Sequence, residues 1–321
     1  MLFKYCSLRE DFFENRYIRF TQPELFNDPF EGQVNNLELL EHYKAESNSL
    51  DYIEERIRRH GTGYQNLGIV SLSKNDKNLL MWSHYAEQHK GLVLMIDTKE
   101  PPFCCEGINE STYIGNAFDI EYDNNRPSLE MKTFVIKNPP CSLLRKSNHW
   151  SYEAEVRIFL SKSLASDIKY KLMSNKIVSE LQQNNLEYDS FVKEEIWLKQ
   201  LRIDSLKGII IGALADKDMA LYYYIRGVIK GTISRDTKLF FSRLSPTKYE
   251  VEYIEFSDMG EILELFNYNK THTTYYILSY LRATLDGLQY EEKFYGMNIN
   301  EIVRCVIKEE YIEVFEVLTE V

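Results

Sequence analysis

The sequence has no CxxC or CxxH pair among its five cysteines, Cys6, Cys104, Cys105, Cys141 and Cys305, so it encodes neither a structural zinc site nor a disulfide framework. There is no HExxH, and His84 and His89 stand five apart, a spacing that does not place two imidazoles on one helical face. No metal is expected. GxGxxG and GxxxxGK[ST] are both missing, which removes a Rossmann-type dinucleotide fold and a P-loop, and the absence of GxSxG removes a serine-hydrolase elbow. The opening stretch, MLFKYCSLREDFFENRYIRF, lacks the apolar core of a signal peptide, and no apolar run approaches bilayer length, so a cytoplasmic protein is expected. Basic residues are in deficit, 38 Lys and Arg against 49 Asp and Glu for a net charge of -11. That balance argues against broad electrostatic binding to duplex DNA or to an anionic membrane.

What is present suits a sizeable core: 321 residues, 44% hydrophobic and 13% aromatic. The densest unit is LGIVSLSKNDKNLLMWSHYAEQHKGLVLMID at 67–97. Gly68 to Ser73 reads as a strand, and Asn75 or Asp76 as the cap of a helix carrying Leu79, Trp82, Tyr85 and Ala86 at helical spacing. Gly91 ends that helix, and Leu92 to Ile96 reads as a strand buried on both faces. Ser71, Ser73, Trp82 and Tyr85 are thereby held on rigid elements.

A second stretch, WSYEAEVRIFL at 150–160, alternates strictly, with Ala154, Val156, Ile158 and Leu160 on one face and Glu153, Glu155, Arg157 and Phe159 on the other. The first face is core; the second needs water or a ligand to justify two carboxylates and a guanidinium. FNDPFE at 26–31 is a turn between two phenylalanines, either structural punctuation or a site rim formed by Asn27 and Asp28. Leu37 to His60 reads as helical, Phe118 to Tyr122 and Thr133 to Ile136 as strands, and Tyr170–Asn185 with Glu187–Lys199 as a helical insertion. Leu206 to Gly212 is a buried strand, Asp216 caps a helix, and Lys238–Leu244 and Tyr249–Phe256 are the last strands. The pattern then turns helical to the end. The expected fold is α+β: a bent, mixed or mostly antiparallel sheet wrapped by helices over 1–257, with a helical insertion at about 164–200 and a small helical module at 258–321.

Glycosyl chemistry at a sugar C1 needs a carboxylate to stabilise an oxocarbenium-like transition state and a second group to handle the nucleophile. Glu153 and Glu155 supply that pair, Trp82, Tyr85 and Trp150 offer rings for stacking, and Arg157 can pair a phosphate. The alternative is the wet face of an antiparallel sheet.

Taken in order, FKYCSL, FNDPFE, SLSKNDKNLLMWSHYAEQHKGLVLMID, WSYEAEVR and LKGIIIG resemble the motifs of a bacterial family known as domain of unknown function 2971, over residues 1 to 256. The motif order is similar to that of ADP-ribosyltransferase-like folds. That resemblance implies Tyr5, then Ser71 and Ser73, then Glu155 as the three site positions, Glu155 being the second Glu of an ExE pair; Tyr5 stands where many such transferases carry His or Arg. It further implies NAD as substrate: Glu155 bonding the nicotinamide-ribose 2′-hydroxyl, Ser73 orienting that ribose, Tyr85 or Trp82 stacking on nicotinamide, and ADP-ribose passing to a macromolecule or water. Two alternatives stand beside it. One is a non-catalytic module that binds a nucleotide or peptide, as in a phage-defence sensor; the other is a small glycoside or nucleoside hydrolase using both glutamates.

Overall fold

A computed structural model describes residues 1–60, 66–98, 117–129, 139–172, 193–234 and 236–256. Among these residues thirteen strands run in chain order: β1 (Leu2–Cys6), β2 (Tyr17–Phe20), β3 (Leu67–Ser73), β4 (Leu92–Ile96), β5 (Phe118–Asp119), β6 (Glu121–Tyr122), β7 (Arg145–Lys146), β8 (Glu155–Ser161), β9 (Asp167–Leu172), β10 (Lys193–Gln200), β11 (Leu206–Ile211), β12 (Lys238–Leu244) and β13 (Val251–Glu255). The helices are α1 (Glu10–Asn15), α2 (Asn36–Glu46), α3 (Leu50–His60), α4 (Leu79–Tyr85) and α5 (Lys217–Ile229). Eight strands form one open sheet in the order β13-β12-β11-β4-β1-β3-β8-β5. Only the β11 and β12 pair in it is parallel, so the fold is α+β on a mixed, mostly antiparallel sheet.

The central strands are continuous apolar runs because helices and loops cover both of their faces. One face carries the main core, in which Leu92, Leu94, Val156, Ile158, Ile209 and Ile211 meet Phe12 and Phe13 of α1 and Leu221 and Tyr224 of α5. On the opposite face Tyr5, Val93 and Ile210 pack with Met81 and Trp82 of α4. Asp216 caps α5 by accepting the Met219 N–H at 3.0 Å, as its position before the helix implies.

Around α4 the boundaries differ from the expected ones. Asn78 is the cap, accepting the Leu80 and Met81 N–H groups, whereas Asn75 closes the preceding turn by accepting the Lys77 N–H. The helix stops at Tyr85. Glu87, Gln88 and His89 follow with φ of 48°, 57° and 68°, and Gly91 lies beyond this left-handed turn. Gly91 and Gly212 are required by close backbone approach: a Cβ on Gly212 would sit 2.2 Å from the His89 carbonyl oxygen, and one on Gly91 2.3 Å from that of Cys6.

Two further expectations are corrected. The insertion is not helical at its ends, since Asp167–Leu172 and Lys193–Gln200 are strands that pair with one another, and the second also pairs with β2 in a separate three-stranded sheet. The strand expected from Trp150 to Leu160 begins only at Glu155. Asn148–Glu153 is a 3-10 turn, and Ala154, with φ of 43°, breaks the alternation between the two glutamates. The second face of β8 is also not wet, for Arg157 and Phe159 are 1% and 0% exposed. The middle of the insertion, 173–192, the strand Thr133 to Ile136 and the C-terminal helical module lie outside the described residues. No described helix is long and apolar enough to cross a membrane.

Candidate functional site

Adjacency of β1, β3 and β8 in the sheet brings together residues that are far apart in sequence. Ser73 pairs in register with both Phe3 and Glu155, and Ser71 with Arg157. Over these strands the FNDPFE loop closes one wall. Its Asp28 accepts the Phe30 N–H at 2.9 Å, and Gly32, with φ of +73°, turns the chain back so that its N–H reaches the Ser142 carbonyl. The result is a cavity of about 240 Å³ whose lining includes Tyr5, Ser71, Ser73, Tyr85, Glu153, Glu155, Arg157 and Trp150.

Trp82 is the expected site residue that does not reach the cavity. It is 0% exposed, meets Tyr5 edge-on and His89 face to face, and donates its indole N–H to the Asp76 carbonyl at 2.9 Å. It is therefore core, and of the three expected ring residues Tyr85 and Trp150 are the ones that line the cavity. Tyr5 lines the cavity through its ring, while its hydroxyl is committed to the Asn75 carbonyl at 2.9 Å. Ser73 is likewise committed, donating to the Glu153 carbonyl at 2.6 Å and accepting the Asn75 N–H. Its hydroxyl positions Glu153 and not a sugar.

The chemistry concentrates in a buried ion cluster of three carboxylates and two cations. Lys146 Nζ lies 2.7 Å from Glu31, 2.6 Å from Glu153 and 3.4 Å from Glu155. Arg157 donates through Nε to Glu155 Oε1 at 2.8 Å and through Nη2 to Glu155 Oε2 at 3.2 Å and Glu31 Oε2 at 2.7 Å. Its Nη1 reaches the Leu143 carbonyl, and the guanidinium stands 4.8 Å over the Phe26 ring. Lys146 in turn sits 4.8 Å over Trp150.

The two glutamates experience opposite fields. Burial alone pushes the Glu155 carboxyl up, but the charges of Arg157 and Lys146, with hydrogen bonds from Arg157 and Ser71, outweigh it and hold the group down at about 2. At Glu153 burial wins over Lys146 and the Tyr85 hydroxyl, and the carboxyl is raised above its ordinary range. Tyr85 donates to Glu153 Oε1 at 2.5 Å, and burial together with that bond keeps the phenol protonated. Both cations remain charged: burial opposes the Lys146 ammonium and the Arg157 guanidinium, but the surrounding glutamates more than compensate.

Lone pairs decide which glutamate can meet a ligand. A carboxylate has about four acceptor positions. Glu155 already receives Arg157 twice, Lys146 and Ser71. Among the described residues Glu153 receives only Tyr85 and Lys146, which leaves acceptor positions open. Sequence reasoning selected both glutamates and missed Lys146 and Glu31, which tie them together. Glu31 is the last residue of FNDPFE and Lys146 stands four residues before Trp150, and nothing local joins the two.

The fold and cleft define an α+β protein with a half-enclosed polar site built on three adjacent strands around a buried cluster of glutamate, lysine and arginine. Residues 81–158 match the model of a family described as a protein of unknown function (DUF2971). The matched segment is similar to the family that the ordered motifs resemble, and it contains Tyr85, Lys146, Trp150, Glu153, Glu155 and Arg157. No curated protein and no solved structure matches the chain.

Proposed function

We propose that the cleft cleaves the glycosidic bond at C1 of a ribose in the manner of an ADP-ribosyltransferase, with NAD as donor and a macromolecule or water as acceptor. The observation that carries this is the pair Glu153 and Glu155, whose proton affinities are driven apart by their surroundings. Such a pair supplies one permanent anion and one proton acceptor within a single site. As the bond from C1′ to nitrogen breaks, its electron pair leaves with nicotinamide, and the positive charge growing on the ribose meets the fixed charge of Glu155. Glu153, with lone pairs to spare, accepts a hydrogen bond from the ribose or the incoming nucleophile. When the nucleophile bonds to C1′, its proton passes to Glu153. Tyr85 and Trp150 provide faces for the nicotinamide ring. This differs from the expectation drawn from the resemblance, in which Glu155 itself holds the ribose hydroxyl.

The saturation of Glu155 by four donors favours a second reading, a module that binds the nucleotide without turnover. Incubating the protein with NAD labelled in nicotinamide separates the two. Turnover predicts free nicotinamide, lowered on the order of 10²-fold by Glu153→Gln with affinity little changed. Binding of NAD without release leaves the second reading, and no binding overturns both.

A further inference from the structure

Beside the main cavity lies another of about 200 Å³, and the two share Asp28, Glu31 and Lys146 as common wall. Glu31 and Lys146 are engaged in the ion cluster: Glu31 receives Lys146 on Oε1 and Arg157 on Oε2. Asp28 is not. It is 6% exposed, its Oδ1 accepts the Phe30 N–H at 2.9 Å, and its Oδ2 is buried with no hydrogen-bond partner among the described residues. A carboxylate oxygen kept from water and left unbonded is costly, so a fold that retains one at a cavity junction has a use for it.

We infer that Asp28 is a ligand-contacting residue, its Oδ2 accepting a hydrogen bond from a ribose hydroxyl of a dinucleotide that extends from the first cavity into the second. A cation is the poorer occupant, because the neighbouring Glu31 already holds the cations Lys146 and Arg157, whose charges oppose a further one, and a single Asp28 oxygen is a sparse ligand set for it. A phosphate is repelled by the carboxylate itself. A hydroxyl donates to it, and the terminal torsion of an aspartate is soft enough to bring the oxygen to the ligand. The main cavity falls just short of the roughly 300–1,000 Å³ of sites that enclose a small molecule, so a dinucleotide has to continue past this junction.

The inference rests on the dinucleotide reading above. Its test is calorimetric titration of wild type and Asp28→Asn with ADP-ribose, which carries two riboses and no scissile nicotinamide bond, beside melting curves without ligand. Asparagine keeps the acceptor for Phe30 and replaces the charged oxygen. The expected result is affinity about tenfold weaker, because a hydrogen bond to a charged acceptor is roughly twice as strong as a neutral one, with melting unchanged or raised. Equal affinity overturns the role of Asp28 and leaves the proposed function standing. A melting temperature well below wild type also overturns it, since Oδ2 would then be engaged in the fold. If wild type binds no ADP-ribose, the proposed function falls and this assignment with it.

Discussion

Replacing Glu155 by Gln tests the buried cluster most directly, because the cost follows from the donors around it. Whichever way the amide is turned, its NH₂ faces a cation: Arg157 Nε stands against Oε1, and Arg157 Nη2 with Lys146 against Oε2. One ionic bond is lost and a donor is pressed on a donor, inside a site where Glu155 has only 3% of its side chain exposed. Removing one member of a buried ion pair costs about 3–5 kcal/mol, a large share of a total stability of about 5–15 kcal/mol. In a domain of this size that lowers the melting temperature by roughly 10 °C. Glu153→Gln is the matched control. Its amide oxygen can face Lys146 while its NH₂ donates to the Tyr85 oxygen, whose own proton rotates away, so both bonds survive and the cost is about 1 kcal/mol. Chemical and thermal denaturation of the two variants in parallel gives the comparison. A Glu155→Gln loss below about 1 kcal/mol, or equal losses at both positions, refutes the reasoning that Glu155 is clamped and Glu153 is not. The same contrast makes Glu153→Gln the cleaner probe of turnover, since stability and chemistry are confounded at Glu155.

Acid titration should separate the glutamates in the opposite sense. Glu155, held at about 2 against an ordinary 4.5, contributes stability that is complete above about pH 4.5 and disappears as the pH falls toward 2. Glu153 is raised, so its contribution is present below pH 4.5 and is lost as the pH rises through its folded value. Denaturant midpoints from pH 3 to 7 should therefore show a flatter acid limb in Glu155→Gln; an acid limb as steep as wild type would contradict the ion pairing. Trp82→Phe should destabilise by about 1–3 kcal/mol through lost volume and the lost indole hydrogen bond to the Asp76 carbonyl, which keeps the Tyr253 hydroxyl, yet leave NAD affinity unchanged; weakened binding in the folded variant would mean that the indole reaches the site. A chain ending at Ser257 should keep a cooperative melt, because Ile254 and Phe256 already seal the β13 end of the main core; insolubility would show that residues beyond Ser257 belong to that core.

The periodicity of the chain was enough to define the order of β3, α4 and β4, the core face of β8 and the capped helix α5, since each rests on local spacing, while the cap and the end of α4 fell elsewhere than the spacing implied. It also singled out Glu153, Glu155, Tyr85 and the FNDPFE loop, whose residue types are hard to explain by packing alone. Strand pairing at the insertion ends was not legible: lysine, glutamate and leucine in KEEIWLKQ suit a helix, and only the partners β2 and β9 make a strand of it. Nor was the geometry of the glutamate pair, because the left-handed Ala154 that lifts Glu153 off the strand is fixed by its surroundings and has no glycine to announce it. The cluster itself is purely tertiary. Glu31, Lys146 and Arg157 come from a loop, a short strand and a long one, and which carboxylate is clamped, which is raised and which aromatic ring is core depends on distances that only the folded sheet sets.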